Sequence, residues 1–281
     1  MFPNETKIHG TIEFPMELYM VDFNHPRYNM SFHWHTNAEI IRVLSGKLTV
    51  SLNNREFEAK KGDILFVNPE VIHGAYPQNC VYECIVYNPR ITPPLTVDGE
   101  SFTENLANGL IHINEKLPSD DKELSDCIEK LFVSLRETDA PMRYVAIGML
   151  YNMYGIIMNK SYYTKNDENT SISRSSMIKL KNALTFIRSS FNTEITLDDM
   201  ANHAGMSKKY FCTFFKQYTH TSPFDYLIAY RIERASHYLL TTDMDITAIS
   251  YSCGFNDLSY FIKTFKNIKG VTPGRFRNSF R

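Results

Sequence analysis

The feature that most constrains the fold is an internal repeat in the last third of the chain. The segment TLDDMANHAGMSKKYFCTFFKQYTHTSP (196–223) recurs as ITAISYSCGFNDLSYFIKTFKNIKGVTP (246–273). Apolar positions, a capping residue, a glycine and a proline match between the copies once one inserted residue is allowed. The matched pairs are Leu197 and Ile246, Met200 and Ile249, Gly205 and Gly254, Ser207 and Asp257, Phe211 and Phe261, Phe215 and Phe265, Lys216 and Lys266, and Pro223 and Pro273. Such a repeat indicates one supersecondary unit that is built twice.

Each copy has the pattern of a helix–turn–helix unit. Thr196 and Asp245 precede the first helices, where a side-chain oxygen can cap free backbone N–H groups. Gly205 and Gly254 follow those helices, where a left-handed backbone conformation suits glycine. The repeat therefore predicts two helix–turn–helix units in tandem.

The second helix of each copy begins after a predicted cap, Ser207 or Asp257, and has one aromatic and one polar face. The residues predicted to face inward are Phe211, Phe214, Phe215, Tyr218, Phe261 and Phe265. The predicted DNA-facing residues are Lys208, Lys209, Cys212, Thr213, Lys216, Ser259, Tyr260, Lys263 and Lys266. Short polar and cationic side chains suit base edges and phosphates. A single such helix could be an ordinary solvated surface, but two in tandem favour DNA.

A connecting helix is predicted between the copies, from Phe224 to Leu240. Its residues predicted to pack on both units are Tyr226, Leu227, Tyr230, Ala235 and Leu239. A helix of about 17 residues is roughly 25 Å long. Such a spacer can hold two recognition helices about one DNA turn apart, around 34 Å. This predicts two adjacent major-groove contacts on one face of the DNA.

The distribution of charge supports a phosphate-binding module at this end of the chain. Residues 172–281 carry 15 Lys and Arg against 8 Asp and Glu. Residues 1–171 carry 15 basic and 23 acidic residues. A basic third joined to an acidic two-thirds suggests that only the former meets nucleic acid.

The last hundred residues resemble the DNA-binding domain of the AraC/XylS family of bacterial transcription regulators, over residues 176–278. The matching residues are Arg231, Ala235, Leu239 and Leu240 in the connecting helix, Cys253-Gly254-Phe255, Phe265-Lys266, and Thr272-Pro273. The resemblance implies base-facing positions for Lys209, Cys212, Thr213, Ser259, Tyr260 and Lys263. Because a thiol is a weak hydrogen-bonding group, the first unit is expected to rely more on lysine–phosphate contacts.

The first hundred residues have the pattern of a β-rich domain. Short apolar runs such as IIRVL, KLTVSL and DILFVN are separated by Gly46, Gly62 and Pro69. Asn53-Asn54 stands where a two-residue hairpin turn would lie. Many short strands with regular turn signals predict a sandwich or a barrel.

Two helices are predicted within residues 102–160. The apolar stripe of the first comprises Leu124, Ile128, Leu131 and Leu135. The second, 141–158, is apolar on most faces. These helices either pack on the β domain or place a stripe against a second copy of the chain, and we favour the second hypothesis.

Three histidines and a glutamate form a second group of candidate site residues. Two-residue alternation places His33 and His35 on one face of a strand. With Glu39 and Gly46 they resemble the first motif of cupin domains, and His73 stands in a second motif. That second motif departs from the cupin pattern, since Val71 replaces its glycine and His73 lies one residue closer to Pro69. Strand parity places Arg42, a secondary candidate, on the opposite face.

Three hypotheses remain open for His33, His35, Glu39 and His73. They line a small-ligand pocket, they bind a divalent transition metal through imidazole and carboxylate groups, or they are structural. We favour the ligand pocket without metal or other cofactor, because degenerate second motifs resemble the metal-free sensory cupins attached to AraC-type domains. The family resemblance also implies that residues 1–20 fold over the pocket as an arm.

The predicted fold class is a multidomain α+β protein. Its parts are a cupin-like ligand-sensing β-barrel (1–100), a helical dimerisation segment (101–160), a linker with almost no aliphatic residue (161–175) and an all-α DNA-binding domain (176–281). The helix–turn–helix units of that domain are predicted at 197–218 and 246–268.

These observations predict a cytoplasmic, ligand-responsive transcription regulator, and family habit favours an activator. The predicted partners are double-stranded DNA, a small-molecule effector such as a sugar, a second copy of the chain and RNA polymerase, with no membrane contact. No catalytic residue is predicted, since the chain has no GxSxG, HExxH, P-loop or GxGxxG motif. The alternative function is a metal-dependent cupin enzyme fused to a DNA-binding domain.

Overall fold

The computed structural model describes residues 9–278 except 12, 26, 54, 94, 98–99, 138–139 and 166–170. The described residues form two compact units. The β-rich unit is chiefly residues 33–172 with the preceding segment 9–28, and the helical unit is chiefly 173–278. No helix among the described residues is long and apolar enough to cross a membrane.

A seven-stranded sheet forms the centre of the β-rich unit. The strands among the described residues are β1 (Met16–Val21), β2 (Met30–His33), β3 (Ala38–Leu52), β4 (Arg55–Lys60), β5 (Ile64–Val67), β6 (His73–Tyr87), β7 (Thr96–Val97), β8 (Glu100–Ser101), β9 (Ile111–Ile113), β10 (Lys116–Leu117) and β11 (Tyr163–Lys165). The sheet has the order β1-β6-β3-β5-β10, with β2 on β6 and β4 on β3. The two longest strands, β3 and β6, pair with each other in the middle of the sheet, and the other strands are added on either side.

Local sequence explains the first hairpin of the sheet. Leu52 of β3 pairs with Arg55 of β4, and Asn53 between them has a φ of 54°. Asparagine tolerates this left-handed conformation better than most residues. The predicted turn at Asn53 is confirmed, whereas Asn54 lies outside the described residues.

Within the part of the β-rich unit that the structure describes there are three α-helices: α1 (Phe102–Ala107), α2 (Lys122–Ser134) and α3 (Ala140–Asn159). Leu124, Ile128 and Leu131 of the predicted stripe are fully buried, and Leu135 is half-buried. They belong to one apolar core with side chains of the sheet and of α3. The stripe of α2 therefore packs within its own unit, and it is not the surface for a second copy.

The described residues of the helical unit include seven helices: α4 (Ser171–Ser190), α5 (Leu197–His203), α6 (Lys208–Thr219), α7 (Pro223–Thr241), α8 (Ile246–Ser252), α9 (Leu258–Lys269) and α10 (Pro273–Asn278). Helices α5 and α6 form the first predicted helix–turn–helix unit, and α8 and α9 form the second.

Regular structure occupies part of the predicted linker, 161–175, and the boundary between the two compact units falls at 172/173 within it. Strand β11 pairs with β9, with Tyr163 opposite Ile113, and α4 begins at Ser171. The polar composition of this segment suggested irregular structure, but backbone pairing with an existing strand stabilises β11 regardless of composition.

The predicted caps are confirmed at three of four helices. Thr196 and Asp199 form a reciprocal capping box at α5. Asp245 accepts a hydrogen bond from the backbone N–H of Ala248, and Asp257 accepts one from that of Tyr260. Ser207 lies at the N-cap of α6, but its side chain makes no capping hydrogen bond. Ser207 is therefore the N-cap residue, as predicted, but the predicted hydrogen bond from the backbone to its side chain is absent.

Candidate nucleic-acid interface and effector site

The outward faces of α6 and α9 form the candidate nucleic-acid interface. All five phenylalanines predicted to face inward are buried, and Tyr218 is half-buried against Phe214. Of the nine predicted DNA-facing residues, eight are exposed and only Cys212 is half-buried. The orientation of both helices is therefore as predicted, while contact with DNA stays a prediction.

Lys208 differs from the other lysines of this surface. Its ammonium group lies 2.7 Å from the Asp198 carboxylate, in an ion pair whose members are both more than half exposed. An exposed pair of this kind is weak, and a phosphate can displace the carboxylate. The pair nevertheless offsets part of the positive charge of Lys208, which leaves Lys209 and Lys216 as the stronger cations of α6.

Tyr210 is a surface residue that sequence reasoning missed. Its side chain is 60% exposed on α6, and Tyr260 on α9 is 51% exposed. The two tyrosines lie 50 residues apart, which is the offset between the second helices of the repeat. The repeat itself could have identified Tyr210 once Tyr260 was chosen.

Helix α7 connects the two helix–turn–helix units and sets the distance between them. It has 19 residues, and a helix of that length extends about 28 Å. The five residues predicted to pack on both units are all buried. Arg231 of α7 donates hydrogen bonds to the backbone oxygens of Phe191 and Thr193, each 2.7 Å long. These contacts tie α7 to the segment that leaves α4.

The three predicted histidines meet inside the β-rich unit. The ring centroids of His33 and His73 are 4.1 Å apart, and that of His35 lies 4.9 Å from His73 and 5.5 Å from His33. His35 and His73 are buried, and His33 is half-buried. One ring nitrogen from each of the three histidines lies within 4.8 Å of the corresponding nitrogens of the other two.

Glu39 on β3 completes this group, which we call the histidine cluster (His33, His35, Glu39 and His73). The buried Oε2 of Glu39 lies 3.2 Å from Nε2 of His73 and 3.5 Å from Nε2 of His35. Burial by itself would raise the pKa of Glu39, but its contacts with the two imidazoles outweigh burial and hold the pKa well below its usual value. The cluster therefore presents an ionised carboxylate among imidazole rings.

Sequence reasoning missed three further residues beside the histidine cluster. The His9 ring is buried 5.9 Å from that of His35, and its Nδ1 lies 2.7 Å from the Tyr19 hydroxyl. Tyr19 pairs across the sheet with Cys84, whose pKa is raised well above its usual value by burial and by the Glu39 charge. Strand pairing could have identified Tyr19 and Cys84, but no periodic pattern identifies His9.

Arg42 lies on the other face of the sheet, as its strand parity predicts. It pairs with Glu83 across β3 and β6 and forms ion pairs with both Glu83 and Glu129. The guanidinium also lies 4.5 Å from the centre of the Phe132 ring. Arg42 therefore joins the sheet to α2 and is not part of the histidine cluster.

Comparison with known proteins identifies both parts of the chain. Residues 200–279 match the model of a helix-turn-helix domain, and residues 16–148 match the model of the AraC-like ligand binding domain. The chain belongs to the AraC family of transcription regulators. The first match begins within α5 and extends through α10, and the second covers the sheet and the histidine cluster.

Two relatives match this AraC-family chain over nearly the whole of both lengths. An uncharacterized HTH-type transcriptional regulator of Bacillus subtilis, YdeC, is 25% identical over 94% of this chain and 92% of its own length. The melibiose operon regulatory protein of Escherichia coli K12 is 22% identical over 94% and 90%. These relatives are regulators and give no support to the enzyme alternative.

A solved structure shares the fold of the whole chain. The apo form of a ToxT variant from Vibrio cholerae strain SCE256 is 12% identical and covers 97% of this chain and 99% of its own, with a TM-score of 0.50. At this identity the likeness concerns the fold only. It agrees with a β-rich domain followed by a helical domain.

Proposed function

We propose that α6 and α9 each enter the major groove of double-stranded DNA, and that the histidine cluster binds the small molecule that regulates this binding. The observation that carries the proposal is the repeated exposed polar and cationic face, which occurs twice at the same position of two helix–turn–helix units. Helix-turn-helix proteins place their second helix in this groove. The length of α7 supports two contacts on one face of the DNA.

The base contacts are proposed for Lys209, Thr213, Ser259, Tyr260 and Lys263. Lys208, Lys216 and Lys266 are proposed to bind phosphates, and Cys212 to contact a base only by its apolar surface. Lys208 would exchange its Asp198 partner for a phosphate oxygen. The division matters because only base contacts distinguish one sequence from another.

Lys263→Ala should weaken binding to a selected DNA site by about 1–3 kcal/mol and relax the sequence preference at one position, if Lys263 contacts a base. Lys266→Ala should instead weaken binding to all sequences and reduce the slope of affinity against salt concentration. Fluorescence anisotropy on the selected site and on a scrambled duplex at several salt concentrations measures both effects.

Lys179→Ala is the matched control, because Lys179 is a lysine of the same unit that belongs to α4 and not to α6 or α9. Its affinity for both duplexes should equal that of the wild type. A Lys263→Ala variant that binds both duplexes as the wild type does would contradict the proposed role of α9.

The effector is proposed to be a carbohydrate or a similarly polar small metabolite. The histidine cluster combines donors and an ionised carboxylate, which suit hydroxyl groups. A relative of this chain is called the melibiose operon regulatory protein, and this name supports the proposal of a sugar as the effector. The proposed result of binding is transcription activation in the cytoplasm, with contact to RNA polymerase.

A homodimer is proposed through the outer face of α3. Tyr144 is 83% exposed there, and Val145 beside it is also exposed. Large apolar side chains that face solvent are typical of contact surfaces. This face replaces the stripe of α2, which is buried within the β-rich unit.

A further inference from the structure

A cavity lies on the helix-covered face of the sheet in the β-rich unit. Its volume is about 290 Å³, and its described walls come from α1, α3, β9, β11 and the segment just before β7. Binding sites for small molecules have volumes of about 300–1,000 Å³, and an apolar cavity of about 150 Å³ holds a benzene molecule. The cavity is therefore large enough for two fused aromatic rings.

This cavity is separate from the histidine cluster. Two-residue alternation along β3 places Glu39 of the cluster on one face of the sheet and Ile40 on the other. Ile40 belongs to the same apolar core as Phe102 and Tyr154, which line the cavity. The cavity and the cluster therefore lie on opposite faces of the sheet, and none of the described lining residues belongs to the cluster.

Aromatic rings form much of the cavity wall, and their own contacts hold them in place. The centroids of the Phe102 and Tyr154 rings are 5.6 Å apart. The Tyr154 hydroxyl donates a hydrogen bond of 2.9 Å to the Tyr87 hydroxyl. The Tyr151 hydroxyl donates one of 2.7 Å to the backbone oxygen of Pro93. Because these contacts fix the rings before any ligand arrives, the wall is a preformed surface for a flat apolar molecule.

Lys165 gives the cavity one positively charged edge. Tyr163 and Lys165 are two residues apart on β11, so their side chains share one face of the strand, and both line the cavity. The Tyr163 ring lies 5.3 Å from that of Phe102, whereas Lys165 is exposed at the rim. Among the described lining residues, Lys165 is the one charged group. An anionic group on a bound ring would therefore be most favourable at this edge.

We infer that this cavity binds an aromatic carboxylate of two fused rings, with the rings among Phe102, Tyr154 and Tyr163 and the carboxylate beside Lys165. Aromatic side chains favour edge-to-face and offset contacts with another ring. An ammonium group and a carboxylate form a charge-assisted hydrogen bond, which orients the ligand. The inference adds a second small-molecule site to the chain, and it depends neither on the proposed role of the histidine cluster nor on DNA binding.

The test measures the binding of naphthoate to the full-length chain by isothermal titration calorimetry. We expect one molecule per chain. Benzoate should bind more weakly because its single ring fills less of the cavity, and neutral naphthalenemethanol should bind more weakly because it has no charge. Lys165→Met should lower the affinity for naphthoate by up to about fivefold, since an ion pair at an exposed rim is weak. The same variant should bind naphthalenemethanol as the wild type does.

Gly155→Phe tests the position of the site. Gly155 of α3 lines the cavity, and a Cβ there would meet no atom within 4 Å, so a side chain can be added without moving the backbone. The added ring should occupy the cavity and lower the affinity for naphthoate about tenfold or more. Gly148→Phe is the matched control, because Gly148 lies on the same helix, is equally open at its Cβ and does not line the cavity. Its affinity should equal that of the wild type.

Three results would overturn the inference. They are absence of naphthoate binding by the wild type, equal losses of affinity in Gly155→Phe and Gly148→Phe, and binding of naphthalenemethanol as tight as that of naphthoate. Circular dichroism should show that all variants are folded. DNA binding by the same samples reports on the proposed function alone.

Discussion

Replacing Phe265 by alanine is expected to destabilise the second helix–turn–helix unit by about 3–5 kcal/mol. The Phe265 ring is fully buried on α9 and lies 5.8 Å from that of Phe261 and 5.4 Å from that of Phe276. It belongs to a core that also contains residues of α7 and α8. Truncation leaves a cavity at the point where these helices meet, and chemical denaturation followed by circular dichroism measures the loss.

Tyr260→Ala separates this effect from a loss of DNA contact. Tyr260 lies on the same helix, but half of its side chain is exposed. We expect Tyr260→Ala to change stability by less than about 1 kcal/mol and to weaken DNA binding, whereas Phe265→Ala reduces both. Wild-type stability in Phe265→Ala would show that the second unit does not depend on this core.

Gly254→Ala is expected to be far more damaging than Gly205→Ala, although the two glycines are equivalent positions of the repeat. Both have positive φ, 80° and 63°, a conformation that costs an alanine about 1–2 kcal/mol. A Cβ at Gly254 would also lie 2.5 Å from the backbone oxygen of Phe191, whereas one at Gly205 meets nothing within 4 Å. The Gly254→Ala substitution therefore requires the backbone near residue 254 or Phe191 to move, whereas Gly205→Ala requires no such movement.

The Phe191 oxygen is also an acceptor of the Arg231 hydrogen bond. Gly254→Ala should therefore loosen the attachment of α7 to the end of α4 as well as strain the turn. Thermal melts of the two variants compare the costs directly. Equal melting temperatures for Gly254→Ala and Gly205→Ala would contradict the close approach of Phe191.

The helical unit was predictable because its signals are local and occur twice. Caps, glycines and the spacing of aromatic and polar residues predicted where each helix–turn–helix unit begins and ends to within about one residue. Different methods of assigning helix ends differ by at least this much. The missed exposure of Tyr210 needed only a consistent use of the repeat. Ser207 shows the limit of this approach, because a residue at an N-cap does not always make the capping contact.

The β-rich unit was less predictable because its contacts are distant in sequence. The cupin-like spacing identified His33, His35, Glu39 and His73, and they do come together. His9 reaches the same place from a segment without periodicity. Strand β11 lies in a polar segment whose composition does not predict a strand. The α2 stripe is buried against the sheet, and local sequence does not specify which surface the sheet offers to it.

The most direct test of DNA recognition by both units is a footprint of the full-length chain on DNA that it selects from a random library. Hydroxyl-radical protection and methylation interference together locate the contacts on each strand. We predict two protected major-groove segments per chain on one face of the duplex, separated by about one helical turn, or roughly 10 base pairs. A single protected segment, or protection that does not depend on sequence, would contradict recognition by both α6 and α9.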